Sequence, residues 1–228
     1  MFPKLELYTA SQSEFSHIAD IVKKESSITS HVVHKDTQIH CGQHSFNLEL
    51  TREKSDEFCR IIDESIKIQK DLPFSLPIYF IIEPSEHTAP AVLTPFSKNG
   101  SLSDIINNSS DAEIDIKEMN DQQVLSVLYG ISCFIEKLHG LGKVHGRLKA
   151  SNIIIDQNMH PQVSDLFFDR VYKTEKTNDI TIDLIVSQAP EVVADIEYTH
   201  KSDIYSFGMI AAQMYFKRIN IFSEENIN

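Results

Sequence analysis

The stretch that most restricts what this chain can fold into runs from Asn120 to Asp156. Val124, Val127, Leu128, Ile131, Phe134, Ile135 and Leu138 recur at the spacing of one helical face. Asn120 is placed to cap the start of that helix and Gly140 its end, with Lys137 and His139 in the last turn, where cations favour the helix dipole. A loop follows, His145-Gly146-Arg147-Leu148-Lys149-Ala150-Ser151-Asn152. Ile153 to Asp156 then reads as a short buried strand. A polar loop is thus bracketed by two apolar elements.

The chain on either side divides into two kinds of pattern. The first hundred residues read as strand-rich with one helix. Phe46, Leu48 and Leu50 alternate with Asn47 and Glu49, which predicts a strand with one buried face. Phe58, Ile61, Ile62, Ile66 and Ile68 form an imperfect helical stripe within Ser55–Lys70, ended by Pro73 and Pro77. Ile78–Ile82 and Ala91–Thr94 read as further strands, and Ser101 caps a short helix through Ile106. Beyond a boundary near Phe96–Gly100 the pattern is mostly helical. It closes on a helix capped by Thr199 with the stripe Ile204, Phe207, Ala211 and Met214.

Composition narrows the function classes. With 33 acids against 21 bases the net charge is −12, so the chain lacks the basic footprint that nucleic acid or an anionic membrane requires. Three cysteines do not make a disulfide framework, and no stretch approaches the roughly 20 apolar residues of a membrane span. The expectation is a reduced cytoplasmic protein.

Three further groups give the loop a context. After it come Ser164-Asp165-Leu166, then Ala189-Pro190-Glu191, then Asp203-Ile204-Tyr205-Ser206-Phe207-Gly208. This order resembles the catalytic half of a protein kinase, with its H-R-D-L-x-x-x-N loop, D-F-G, A-P-E and a buried helix bearing an aspartate. Asn99-Gly100-Ser101-Leu102, Tyr129-Gly130-Ile131 and Lys149 resemble the tyrosine-kinase-like group of Ser/Thr kinases. The likeness is specific from about Val92 to Phe216. It implies an α+β, two-lobed kinase-like fold: a small β-rich lobe over about 14–95, a hinge over about 95–100, and a helical lobe over about 101–228 lacking its last C-terminal helices. It puts Thr94 at the gatekeeper position and Pro95–Ser97 at the hinge. His145, Glu191 and Asp203 take structural roles, Asp203 by bonding the loop backbone and Glu191 by pairing an arginine.

The departures carry as much information. In kinases the loop aspartate accepts the substrate hydroxyl's proton, while the loop asparagine and the D-F-G aspartate hold magnesium. Here Arg147 holds the aspartate's place, and a guanidinium stays protonated and cannot be a base. Gly146 holds the arginine's place, which removes the partner of a phosphorylated activation loop. Lys149, Asn152 and Asp165 remain. The D-F-G equivalent is Asp165-Leu166-Phe167, without the glycine that gives that turn its freedom. With Val32 as the valine of G-x-G-x-x-G-x-V, the glycine positions fall on Glu25, Ser27 and Ser30. The V-A-I-K lysine falls on Leu48 or Glu49, its alanine on Phe46 or Asn47, and the helix glutamate near Asp63 or Glu64.

The resulting expectation is a pseudokinase with no intact catalytic set, no cofactor, and protein partners, self-association among them. The alternative is an active Ser/Thr kinase using ATP and magnesium, the metal held by Asn152 and Asp165. A third reading is a truncated structural remnant. His31, His34, His40, Cys41 and His44 are either a zinc cluster or, the preferred reading, the faces of a polar hairpin. Tyr172, Thr174, Thr177, Thr181 and Ser187 fall in the activation-segment position, where a solvated loop is the default and phosphorylation the alternative.

Overall fold

The computed structural model describes residues 9–24, 27–47, 51–85, 88–108, 114–173, 187–194 and 198–218. The chain forms two compact units. The described residues of Met1–Lys70, Leu76–Phe96 and Phe167–Ile180 make the first, and those of Asp71–Ser75, Ser97–Leu166 and Thr181–Asn228 the second.

The first unit is an antiparallel sheet with two helices. Its strands are β1 (Phe15–Lys23), β2 (Ser27–His34), β3 (His40–Phe46), β4 (Phe80–Ile82) and β5 (Ala91–Pro95), in the order β1-β2-β3-β5-β4. One face buries Phe15, Val32, Cys41, Ile82, Ala91 and Leu93. Helix α1 (Arg52–Gln69) starts where the Thr51 hydroxyl accepts the Lys54 amide at 3.3 Å. It buries Phe58, Ile61, Ile62 and Ile66, and Phe58 meets Phe46 of β3 edge to face at 5.3 Å.

The alternation read at Phe46–Leu50 falls mostly outside the described residues: β3 runs from His40 to Phe46, and residues 48–50 are not described. The β1–β2 hairpin escaped the sequence reading because β1 is an edge strand in which only Phe15 is buried and the register shifts twice. No period-two pattern exists there to be read.

The second unit is mainly helical. Helix α2 (Leu102–Asn107) opens on a reciprocal cap in which the Ser101 hydroxyl accepts the Asp104 amide at 3.2 Å and the Asp104 carboxylate accepts the Ser101 amide at 2.8 Å. Helix α3 (Asp121–Gly140) repeats the device with Asn120 and Gln123 at 2.9 and 2.8 Å. Its end differs from expectation. Gly140 is the last helical residue, and Gly142, at φ +69°, is the left-handed residue that closes the helix. The Gly142 amide returns to His139 O and the Lys143 amide to Leu138 O, at 2.9 and 3.2 Å, satisfying two orphan carbonyls.

Beyond α3 come the hairpin β6 (Ile153–Ile155) and β7 (Pro161–Val163). Its turn is organised by the Asp156 carboxylate, which accepts the Asn158 and His160 amides at 2.8 Å each. Helix α4 (Phe168–Lys173) belongs to the first unit, while α5 (Pro190–Val193) and α6 (His200–Arg218) belong to the second. The stripe expected on α6 is rotated. Asp203, Ser206, Ile210 and Met214 face inward, and Ile204 is 53% exposed. The register is set by a polar residue, Asp203, which has to reach the loop at His145. A reading based on apolar residues alone cannot see that.

Helix α3 comes unusually close to β7 at Gly130. A Cβ built there would lie 2.5 Å from Pro161 Cγ and 3.2 Å from Phe74 Cδ1, whereas one at Gly140 meets nothing within 4 Å. A proline ring has nowhere to turn, so Gly130→Ala should destabilise through overpacking by roughly 1–3 kcal/mol. That outweighs the ~1 kcal/mol that alanine gains over glycine inside a helix. Gly140→Ala should leave the melting temperature unchanged or raise it. Urea titrations of the two variants check this, and equal midpoints would contradict the close approach.

Candidate functional site

The loop between α3 and β6 is held by one carboxylate. Asp203, 2% exposed, accepts the His145 amide through Oδ2 at 2.8 Å and the Gly146 amide through Oδ1 at 3.1 Å. His139 Nε2 donates to Oδ2 at 2.9 Å. The side chain of His145 is buried and donates from Nε2 to Ser164 O at 2.9 Å. That tautomer leaves Nδ1 as an acceptor, and it takes the Arg147 amide at 3.2 Å. Gly146 sits at φ +77°, a left-handed backbone that glycine adopts without cost.

The rest of the loop is equally fixed. Asn152 Nδ2 donates to Arg147 O at 2.8 Å, so the carbonyl and the amide of Arg147 are both bonded within the loop. Leu148, Lys149 and Asn152 are buried, and Arg147 is half-buried. Ser164 donates to Asn152 O twice, from its amide at 2.9 Å and its hydroxyl at 3.1 Å, which ties the Asp165 turn to the loop. Asp165, half-buried, stands at φ +61°. Phe167, in the place of the missing glycine, stands at φ +67°. The turn therefore keeps a left-handed residue there and holds it with a buried phenylalanine, a strained choice costing about 1–2 kcal/mol.

In the first unit, strand β3 contains no lysine or arginine. Leu48 and Glu49, expected at the lysine position, lie outside the described residues, as does Glu25. Thr94 pairs with Gly42 across β3 and β5, and His44, two residues on, pairs with Val92. His44 Nδ1 and the Thr29 hydroxyl are 3.0 Å apart. Ser27 and Ser30, expected at glycine positions, are buried in the β2 ladder. Ser30 donates to Asp20 at 2.7 Å. Asp20 is held below the usual carboxylate range by its bond to Lys23, then by those to His17 and Ser30. The histidines spread over both strands of the β2–β3 hairpin. His31 Nε2 lies 2.8 Å from His40 Nδ1, and the His31 ring stacks on Phe96 at 3.7 Å. Burial first, and His40 second, lower the pKa of His31. Among the described residues no group of three or more His, Cys, Asp or Glu side chains is placed to hold a metal.

The α1 carboxylates are also assigned. Asp63 pairs with Lys67 on the helix surface. Glu64 accepts Arg170 Nη1 of α4 at 2.6 Å, with Glu57 at 3.7 Å from Nη2. Phe168 packs against Phe46 at 5.2 Å. Neither α4 nor Arg170 was singled out from sequence, where a lone arginine after an apolar triplet carries no signal. Glu191 lies half-buried in the first turn of α5. Ser187 is buried, with its carbonyl accepting the Ser206 hydroxyl at 2.7 Å, so it is not a solvated loop residue. Tyr172 falls in α4, and Thr174, Thr177 and Thr181 lie outside the described residues.

A family model described as protein tyrosine and serine/threonine kinase matches residues 49–218. Among curated proteins, the chain is 30% identical over 132 residues to the LEAF RUST 10 disease-resistance locus receptor-like protein kinase-like 2.8 of Arabidopsis thaliana, covering 54% of this chain and 14% of that protein. It is 33% identical over 112 residues to cysteine-rich receptor-like protein kinase 25 of the same plant, covering 46% and 17%. It is 25% identical over 133 residues to the dual specificity protein kinase pyk3 of Dictyostelium discoideum, covering 57% and 9%. The match spans less than a fifth of the length of each of these relatives.

Removing Asp203 strands three donors in the interior. Asp203→Ala should cost roughly 3–5 kcal/mol, the range seen when one partner of a buried polar network is deleted. Gly146→Ala should cost about 1–2 kcal/mol, because alanine resists the left-handed backbone. Denaturant midpoints measure both, and a neutral Gly146→Ala would contradict the loop geometry.

Proposed function

Because the chain belongs to the protein tyrosine and serine/threonine kinase family, we propose that it is a member that has lost phosphoryl transfer, a pseudokinase of the tyrosine-kinase-like group acting as a protein-binding module in signalling or scaffolding. The observation that carries this is Arg147. The loop around it is built and bonded as a rigid seat, and the residue in the base's place is a permanent cation. The lack of lysine and arginine on β3 supports the same reading.

Magnitudes favour it. A positioned base contributes roughly 10²–10⁴ in rate. A preorganised charge donor contributes about 3–4 kcal/mol. Starting from turnover of about 1–100 s⁻¹, losing both leaves little even if the losses do not add. The net charge of −12 argues against nucleic acid and anionic membranes as partners. Among the described residues no helix is long and apolar enough to cross a membrane. Ile204, Tyr205, Tyr215 and Phe216, all exposed on α6, support a protein contact, with another copy of the chain among the candidates.

The residues present fit a nucleotide poorly. Asn152 and Asp165 offer oxygen donors of the kind magnesium takes. Strand β3 of the first unit, however, carries no lysine or arginine to meet a phosphate. The retained Asn152–Arg147 bond and Asp165 favour the second reading, an active Ser/Thr kinase that uses ATP and magnesium in an unusual loop.

A transfer assay separates the two readings. Purified protein with radiolabelled ATP, Mg²⁺ or Mn²⁺ and generic protein substrates should show no incorporation above background. Thermal unfolding with excess Mg·ATP should show no shift, whereas a ligand at 100 times its Kd would stabilise by about 2.7 kcal/mol. Autophosphorylation that disappears in Asp165→Ala would overturn the pseudokinase reading.

A further inference from the structure

His31, His34, His40, Cys41 and His44 crowd into the β2–β3 hairpin, and the structure separates them. His34 stacks on Phe80 at 5.3 Å and accepts the Thr37 amide through Nδ1 at 3.2 Å. The Cys41 thiol lies in the buried face of the sheet, where burial pushes its pKa up to about 11. His44 Nδ1 lies 3.0 Å from the Thr29 hydroxyl. His31 and His40 alone turn their rings to each other, with His31 Nε2 2.8 Å from His40 Nδ1.

The backbone places this pair. His31 stands opposite Gly42 and His40 opposite Val33, so the two are diagonal neighbours across the β2–β3 ladder, within reach of long or aromatic side chains. The His40 carbonyl accepts the Phe96 amide at 3.3 Å. The Phe96 ring in turn lies flat against His31, with centroids 3.7 Å apart and planes within 2°. One imidazole is thus clamped and half-buried, while the other stands exposed. Burial first, and His40 second, lower the His31 pKa, which favours the neutral ring that a metal requires.

As a hydrogen bond at a wet surface the contact contributes little, because water competes for both nitrogens. As a chelate it has the right size. Zinc bonds imidazole nitrogen at about 2.0–2.1 Å, so two cis nitrogens stand about 2.9–3.4 Å apart for angles between square and tetrahedral. The observed 2.8 Å falls just short of that span. A small turn of the exposed His40 ring brings both lone pairs onto one ion, with the ring protons on His31 Nδ1 and His40 Nε2. Among the described residues no third His, Cys, Asp or Glu completes the set, so water fills the remaining positions.

We propose that His31 and His40 form a two-histidine site for a divalent transition metal of the zinc type, open to solvent on the His40 side. The site is separate from the Arg147 loop and holds whether or not the chain transfers phosphate.

The full chain, stripped with EDTA and exchanged into metal-free buffer, is titrated with Zn²⁺ by calorimetry. One equivalent should bind, and excess Mg²⁺, which prefers oxygen ligands, should not displace it. His40→Ala should weaken binding by about tenfold or more, about 1.4 kcal/mol. His160→Ala, in the β6–β7 turn, should leave it unchanged. With Cu²⁺ in place of Zn²⁺, the electron paramagnetic resonance signal should be split by two nitrogens in the native chain and by one in His40→Ala. His31→Ala should match His40→Ala. Because the His31 ring also packs on Phe96, the exposed His40→Ala decides if His31→Ala fails to melt cooperatively. Absent Zn²⁺ binding, an unchanged Kd in His40→Ala, or a single-nitrogen copper signal in the native chain overturns the proposal and leaves a hydrogen-bonded pair. An equal loss in His160→Ala indicates uptake by scattered histidines and overturns it as well.

Discussion

The carboxylate of Asp203 is the point on which the second unit turns. It sits almost fully buried on α6 and gathers three donors: the ring of His139 at the end of α3 and the amides of His145 and Gly146 in the loop. A carboxyl group so buried is costly unless its oxygens are occupied, and here the structure occupies them with donors from two other elements. The same bonds therefore fix the rotation of α6, the exit from α3 and the path of the loop together. His145 extends the network to Ser164, and Asn152 extends it to Arg147, so the loop is rigid from both ends.

The bonds that hold position 147 are made by its backbone and do not depend on its side chain. Gly146 takes the left-handed backbone that Asp203 demands without steric cost. Arg147 occupies a seat whose amide and carbonyl are both bonded. The side chains of Asp203, His145 and Asn152 thus fix the loop through its backbone amides and carbonyls, whatever side chain position 147 carries. Phe167 shows the opposite economy. It holds a left-handed backbone without being glycine, and burial of its ring offsets the strain.

In the first unit, Glu64 of α1 accepts Arg170 of α4 at 2.6 Å, with Glu57 close by. Phe168 drives the same short helix against Phe46, which in turn packs on Phe58. The charged contact is only partly shielded, so most of the holding force comes from the aromatic cluster. A segment six residues long, too short to be stable as a helix by itself, is held in place by what it packs against.

The α3 stripe, the short strand after the loop and the Ser101 and Asn120 caps were legible in the sequence because each is local, written in spacings of three and four or in a cap and its first turn. So was the order of the motifs that placed Arg147, Lys149, Asn152, Asp165 and Asp203 in one neighbourhood. The rotation of α6 was not legible, since a buried aspartate outweighed an isoleucine in choosing the inner face. Nor was β1, an edge strand with one buried residue, nor the Arg170–Glu64 pair, whose members are 106 positions apart. Local spacing determined the long helix α3, the caps and the order of the motifs along the chain. Tertiary structure alone decided which face α6 presents and which distant charges meet, because burial of a charge depends on partners that the neighbouring sequence does not contain.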